Sequence, residues 1–172
     1  YIPSTSDEIR MKELQEQYGV EDHHVFVDIG FEWSKTAELW ARNGWWGIRG
    51  RGQVRSYQHP IKGGAVEERL YSRTKYTVGD DGSRCRYIEI ATNPIKDVLW
   101  RLMNGGGLEW TIAPDVSKVY RNHMRAEVRK EGPHGKSKNI VGYWEQKSRQ
   151  NHLWDCEVYN VAAALVWGIF GD

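Results

Sequence analysis

VFVDIGFEWSKTAELWARNGWWGIR, residues 25–49, decides the fold. It opens on Val25-Phe26-Val27-Asp28, an apolar run without alternation, the pattern of a strand covered on both faces. Ser34 is placed to cap a short helix whose apolar face is Ala37, Trp40 and Ala41, and Gly44 is placed to end it. Residues 45–49 then read as a second strand. Strand, helix and strand at this spacing form a crossover unit, so the two strands are expected to be parallel. The class is α/β.

Upstream, Thr5 and Glu8 have capping-box spacing, and Met11, Leu14 and Tyr18 repeat at helical intervals, so a helix is expected over 7–18. Downstream the periodicity fails between Gly50 and Gly64, which predicts a mobile basic loop. Residues 69–78 and 84–91 read as the arms of a hairpin around Gly79-Asp80-Asp81-Gly82-Ser83. Asn93-Pro94 begins a helix with Ile95, Val98, Leu99, Leu102 and Met103 on one face, stopped by Gly105-Gly106-Gly107. A short strand over 108–112, a helix over 115–129 with Val116, Val119, Tyr120 and His123 inward, and a strand over 140–145 follow. Gly132-Pro133-His134-Gly135 separates the last two. Asn151 is placed to cap a final helix that reads as buried nearly all round.

At 172 residues the chain is expected to be a single domain, 1–172, with room for a real core. Nine Trp, nine Tyr and eighteen Gly fit a globular protein with large anchors and many sharp turns. The formal net charge is only +1, but its distribution is uneven. Arg42, Arg49, Arg51, Arg55, Lys62, Arg69, Arg73 and Lys75 are opposed in their segment only by Glu67 and Glu68. Such positive loops and edges suit phosphate, or form an ordinary solvated surface. Trp45 and Trp46, just before this segment, are expected at an interface, whereas Trp100, Trp110, Trp144, Trp154 and Trp167 are expected to fill the core. Two cysteines, Cys85 and Cys156, make no disulfide framework, and Cys156 is expected to be a buried thiol. No secretory leader is visible, and the apolar run 161–170 is half the length of a membrane span. The opening YIPSTSDE, without an initiator Met, reads as a piece of a longer chain.

Two acids stand out. Asp28 ends an apolar strand, and in open α/β sheets the carboxyl ends of strands line the ligand crevice. Taken alone, such a strand-end Asp more often caps a turn. Asp155 shares a helical face with Val158, Tyr159, Ala162, Ala163 and Val166, so it is a lone charge on an apolar stripe. A carboxylate there needs a metal or a partner. Arg101, Arg125 or the Trp144 indole could serve as that partner. If Asp28 and Asp155 converge, they make a hard oxygen site suited to Mg²⁺ or Mn²⁺. Two such ions about 4 Å apart can activate a water and stabilise the leaving oxygen of a phosphodiester. His23, His24 and His152 have no convincing zinc spacing.

Taken together, VFVDIG, the segment ending WWGIRGRG, YIEIATNPIKDVLWRL, YRNHMRAE and NHLWDCEVYNVAAA resemble the nuclease half of a phage large terminase of the GpA, lambda-like type, over about residues 25–165. The resemblance implies an RNase H-like fold and a metal-dependent endonuclease that cuts concatemeric viral DNA during packaging. Asp28 matches the family's acid at the end of a strand, and Asp155 the acid near its carboxyl-terminal helix. Arg49, Arg51 and the loop that follows, with Arg55 and Lys62, match a basic-Gly segment and are expected to hold DNA phosphates. Ile29-Gly30-Phe31-Glu32 stands where the family has a glycine pair. The family's opening strands carry a further acid that nothing before Asp7 supplies, so the fold is expected to lack its first strands. The implied partners are double-stranded DNA, a terminase ATPase domain in the same chain, the small terminase subunit and the portal, with no membrane, in the host cytoplasm. The competing reading is a DNA-binding or assembly module of the packaging machine without catalysis of its own. A different RNase H-like enzyme, an integrase or resolvase, fits the carboxyl-terminal motif less well.

Overall fold

The computed structural model describes residues 5–30, 33–106, 110–132 and 142–170. Helix α1 (Thr5–Gln17) leads through a 3-10 turn (Asp22–His24) into β1 (Phe26–Asp28), and α2 (Trp33–Arg42) carries the chain to β2 (Trp46–Gly50). β1 and β2 are parallel, with Phe26 level with Trp46 and Asp28 level with Ile48, as the crossover spacing requires. Ser34 lies inside α2 and is not its cap, because the helix already begins at Trp33.

The segment expected as a loop holds the first arm of a hairpin, whose second arm follows it. β3 (Tyr57–Pro60) pairs antiparallel with β4 (Val66–Arg69) as a separate two-stranded sheet. The expected arm over 69–78 is broken in two. Tyr71 bridges to Ile90, and only then does β5 (Lys75–Val78) begin. β5 and β6 (Arg84–Ile90) form the hairpin that Gly79–Ser83 predicts, and β6 lies parallel to β2. The resulting sheet has the order β1-β2-β6-β5.

Chain contacts divide the molecule into two compact units, Tyr1–Ala91 and Thr92–Asp172. In the first, alternation along the strands puts Val27, Cys85 and Tyr87 on one face of the sheet, where they pack with Ile29, Ala37, Leu39, Trp40 and Trp45. Trp40 is fully buried and its indole N–H donates to the Arg86 carbonyl at 3.1 Å, so its polar atom enters the core satisfied. Gly47 is required in this layer, because a Cβ would stand 2.9 Å from that of Tyr87 and 3.1 Å from Ile29. Trp45 is core and not interface, and its indole donates to Gln15 at 3.0 Å. Trp46 is half-buried under the Arg86 guanidinium, 4.4 Å from the ring centroid.

α1 is held differently from its expected stripe. Met11 packs on the core, but Tyr18 is 71% exposed and Leu14 is exposed. Polar contacts replace the missing apolar ones. Glu8 is engaged by Arg42 and by Asn43 at 2.8 Å, so its carboxylate reaches α2 rather than serving as a local cap. Those hydrogen bonds, Arg42 first, hold the Glu8 carboxyl below its ordinary pKa.

In the second unit, α3 (Thr92–Met103) buries Ile95 and Leu99 on the expected face, while Trp100 is exposed. Residues 110–112 are not strand, and 108–109 lie outside the described residues. The helix expected over 115–129 is only α4 (Lys118–His123), which leaves Val119 exposed. Its remainder turns and becomes β7 (Glu127–Lys130), paired antiparallel with β8 (Tyr143–Gln146). Of the break over 132–135, Pro133 onward lies outside the described residues; Gly142 N–H donates to the Gly132 carbonyl at 3.0 Å. Gly142 has φ 94°, a backbone conformation that strains any side chain with a Cβ, so glycine is favoured there; the nearby Arg129 guanidinium is the flexible end of a side chain and could move aside.

α5 (His152–Val166) buries Trp154, Val158, Val161 and Ala162. It is therefore one-sided and not buried all round. Cys156 is exposed, contrary to expectation, because it falls in line with exposed His152 and Asn160. Trp167, just past the helix, is exposed as well. Among the described residues no helix is long and apolar enough to cross a membrane.

Candidate functional site

Asp28 occupies the carboxyl end of β1, and its side chain is exposed. Register and alternation place it on the sheet face of Ile48 and Ile88, opposite the face that α2 covers. Its Oδ1 accepts the Gly30 N–H at 2.8 Å, so the carboxylate does close a turn. That bond uses one of about four acceptor positions on an ionised carboxylate, and the turn leaves the group able to ligate. The two sequence readings of Asp28 are compatible. Phe31 and Glu32, where the family's glycine pair is replaced, lie outside the described residues.

Arg49 stands one residue beyond Ile48 on β2, so its side chain leaves on the other face, level with Glu89 of β6. Glu89 had no signal in the sequence. It is 6% exposed, and three groups converge on it. Arg51 donates to Oε1 from Nε at 2.8 Å and from Nη2 at 2.5 Å, and Lys75 pairs with Oε2. The Ser72 hydroxyl accepts the Glu89 N–H at 2.9 Å. Burial pushes the Glu89 carboxyl up, and the bonds from Lys75 and Arg51 outweigh it, leaving the pKa below the ordinary 4.5. Tyr57 of β3 has its hydroxyl buried without a hydrogen bond, and burial beside Glu89 pushes its pKa up to about 12. Arg51 is thus committed to a buried acid, while Arg55 and Lys62 are exposed on the β2–β3 and β3–β4 connections.

A folded pKa below the unfolded one stabilises the fold at pH values above the unfolded value, and that contribution disappears as pH falls through the folded value. Glu89 therefore contributes fully above pH 4.5 and progressively less below it. Acid titration of the wild type and Glu89→Gln, followed by circular dichroism, should show a smaller loss of stability below this point in the variant.

In the second unit, Asp155 lies in the first turn of α5 and is half-buried, flanking the apolar stripe rather than lying within it. The Trp144 indole is not its partner, because that N–H donates to Asp97 at 2.9 Å, beside Arg129 at 2.8 Å. Three side chains fix the helix that carries Asp155. His123 Nδ1 accepts the Leu153 N–H at 3.2 Å, capping α5 where Asn151 makes no side-chain cap. Asn151 instead donates to Glu127 at 3.2 Å, and Glu127 is paired with Lys96 at 2.6 Å. The Tyr120 hydroxyl donates to Glu157 at 2.9 Å, and burial, then that bond, pushes the Tyr120 pKa up. Nothing in the sequence marked these contacts, since none of the pairs is local.

The two candidate acids sit at the ends of regular elements that place them, one in each compact unit. This is an α/β protein with carboxylates at a strand end and a helix start. The chain belongs to the family of terminase large subunit gpA endonuclease domains, whose profile matches residues 8–170. No curated protein sequence and no solved structure shows a significant match to it.

Proposed function

We propose that this chain is the endonuclease domain of a viral DNA-packaging terminase, hydrolysing phosphodiester bonds of concatemeric DNA by a two-metal mechanism on an RNase H-like fold. The observation that carries the reading is Asp28, an exposed carboxylate at the carboxyl end of a parallel strand, in a chain of an endonuclease family. Asp28 and Asp155 are the metal-holding acids. Both are hard oxygen donors, which fits Mg²⁺ or Mn²⁺ and not a thiolate-bound ion. When bound, such ions supply an activated water and neutralise charge at the leaving oxygen.

The protein's own part is positioning. The Gly30 N–H fixes the Asp28 carboxylate, and the contacts at the start of α5 fix the turn that bears Asp155. Arg49, Arg51, Arg55 and Lys62 hold phosphates, which sets register without reading sequence and makes affinity fall with salt. Arg51 does so with one edge, its other edge being bound to Glu89. The partners in this reading are double-stranded DNA, an ATPase domain of the same terminase chain, the small subunit and the portal, in the host cytoplasm.

The test is nicking of supercoiled plasmid by the 172-residue chain in Mn²⁺, Mg²⁺ or EDTA. Relaxed circles in either metal and none in EDTA are expected. A folded chain that binds DNA but leaves the plasmid intact in all three would overturn the catalytic reading.

A further inference from the structure

We infer that the turn before β1 is a second, separate metal site, formed by Glu21, His23 and His24 and suited to a zinc-class transition ion. One ligand atom from each residue lies within 4.8 Å of the others. The two imidazole rings are 4.1 Å apart between centroids, and His23 Nδ1 is 3.3 Å from a Glu21 carboxylate oxygen. Tetrahedral zinc with bonds of about 2.0–2.2 Å needs donors closer together than that limit by roughly an ångström, a change that side-chain rotation supplies. Two nitrogens and one oxygen form a borderline-soft set, which prefers Zn²⁺, Co²⁺, Ni²⁺ or Cu²⁺ over Mg²⁺ and Ca²⁺.

The backbone that presents these groups is fixed. His24 N–H donates to the Glu21 carbonyl at 2.8 Å and Val25 N–H to the Asp22 carbonyl at 3.2 Å. Trp46 N–H reaches back to the Val25 carbonyl at 2.9 Å, tying the turn to β2. The Asp22 carboxylate accepts from Gln15 at 2.6 Å, tying it to α1. The three ligands thus project from a turn held on two sides, with solvent for the remaining coordination positions.

This site is not the one proposed for catalysis. Three residues, Val25 to Val27, separate His24 from Asp28, four extended steps or about 13 Å along the chain. An ion there joins the turn between α1 and β1 and takes no part at the strand's other end. The inference stands on this turn alone and does not depend on the nuclease reading.

Titration calorimetry of the full chain with ZnCl₂, and with CoCl₂ read by visible absorption, tests it. One equivalent should bind, and a saturating hundredfold excess over Kd should raise the Tm by about 5 °C or more. The double substitution His23→Ala/His24→Ala should weaken binding about 100-fold, and Glu21→Gln by a smaller factor. Asp28→Asn should leave zinc affinity unchanged. Zinc bound equally by the double variant would place the ion elsewhere and overturn the inference, as would a wild-type Kd weaker than about 100 µM. These side chains are half-buried or exposed, so the variants should fold, and their circular dichroism confirms it before titration.

Discussion

Asp28→Asn is expected to lower the rate of metal-dependent plasmid nicking by about 10²–10³-fold while leaving stability within about 0.5 kcal/mol of wild type. The two halves of this expectation have separate causes. The amide is isosteric, and its oxygen still accepts the Gly30 N–H, so the turn at the end of β1 is kept. What is lost is the negative charge and the basic oxygen that a hard cation requires. Asp155→Asn should behave in the same way, because the half-buried side chain keeps its volume and the helix keeps its His123 cap. The measurement is initial nicking rate against Mn²⁺ concentration, with DNA affinity followed in parallel. Loss of nicking with DNA affinity preserved supports catalysis by these acids. Nicking unchanged in both variants would remove Asp28 and Asp155 from the chemistry. If wild type and variants alike bind DNA without cutting, and Arg55→Ala/Lys62→Ala then weakens binding, the assembly module becomes the better account.

The reach of the sequence depends on whether a signal is local. The 25–49 crossover and the 79–83 hairpin are legible because periodicity and turn chemistry specify them within one stretch. β3 is not, because Tyr57-Gln58-His59-Pro60 has no apolar alternation and owes its strand form to pairing with β4. Residues 127–129 read as helix, yet they are drawn into β7, which pairs with β8, and the Glu127 carboxylate meets Lys96. Tertiary pairing overrode propensity there. In the candidate site, Asp28 was legible from its position at a strand end. Asp155 was found from its helical face, but its degree of burial was not, since helical spacing gives a direction without saying how wide the covered side is. Glu89 was missed entirely. A single Glu inside RCRYIEI carries no mark of the Arg51 and Lys75 that converge on it from 38 and 14 residues away.

The largest stability effect should come from the Lys96–Glu127 pair, not from either candidate catalytic acid. Both side chains are about nine-tenths buried, and the pair is 2.6 Å long. Lys96→Met keeps the apolar stem of the side chain and removes the ammonium, leaving Glu127 buried with only the Asn151 amide, at 3.2 Å, among its described partners. An uncompensated buried carboxylate of this kind costs about 3–5 kcal/mol. In thermal unfolding that corresponds to a fall of roughly 10 °C for a chain of this length. The double variant Lys96→Met/Glu127→Gln should recover most of the loss, because no charge is then buried and Gln still offers an oxygen to Asn151. Recovery is the informative half of the experiment. If the double variant is as unstable as Lys96→Met alone, the cost lies in packing around Lys96 rather than in the stranded charge. If it recovers stability but also loses nicking, the pair acts on the start of α5, where Asn151 links Glu127 to the helix that carries Asp155. Stability and cleavage measured on the same three proteins separate these outcomes.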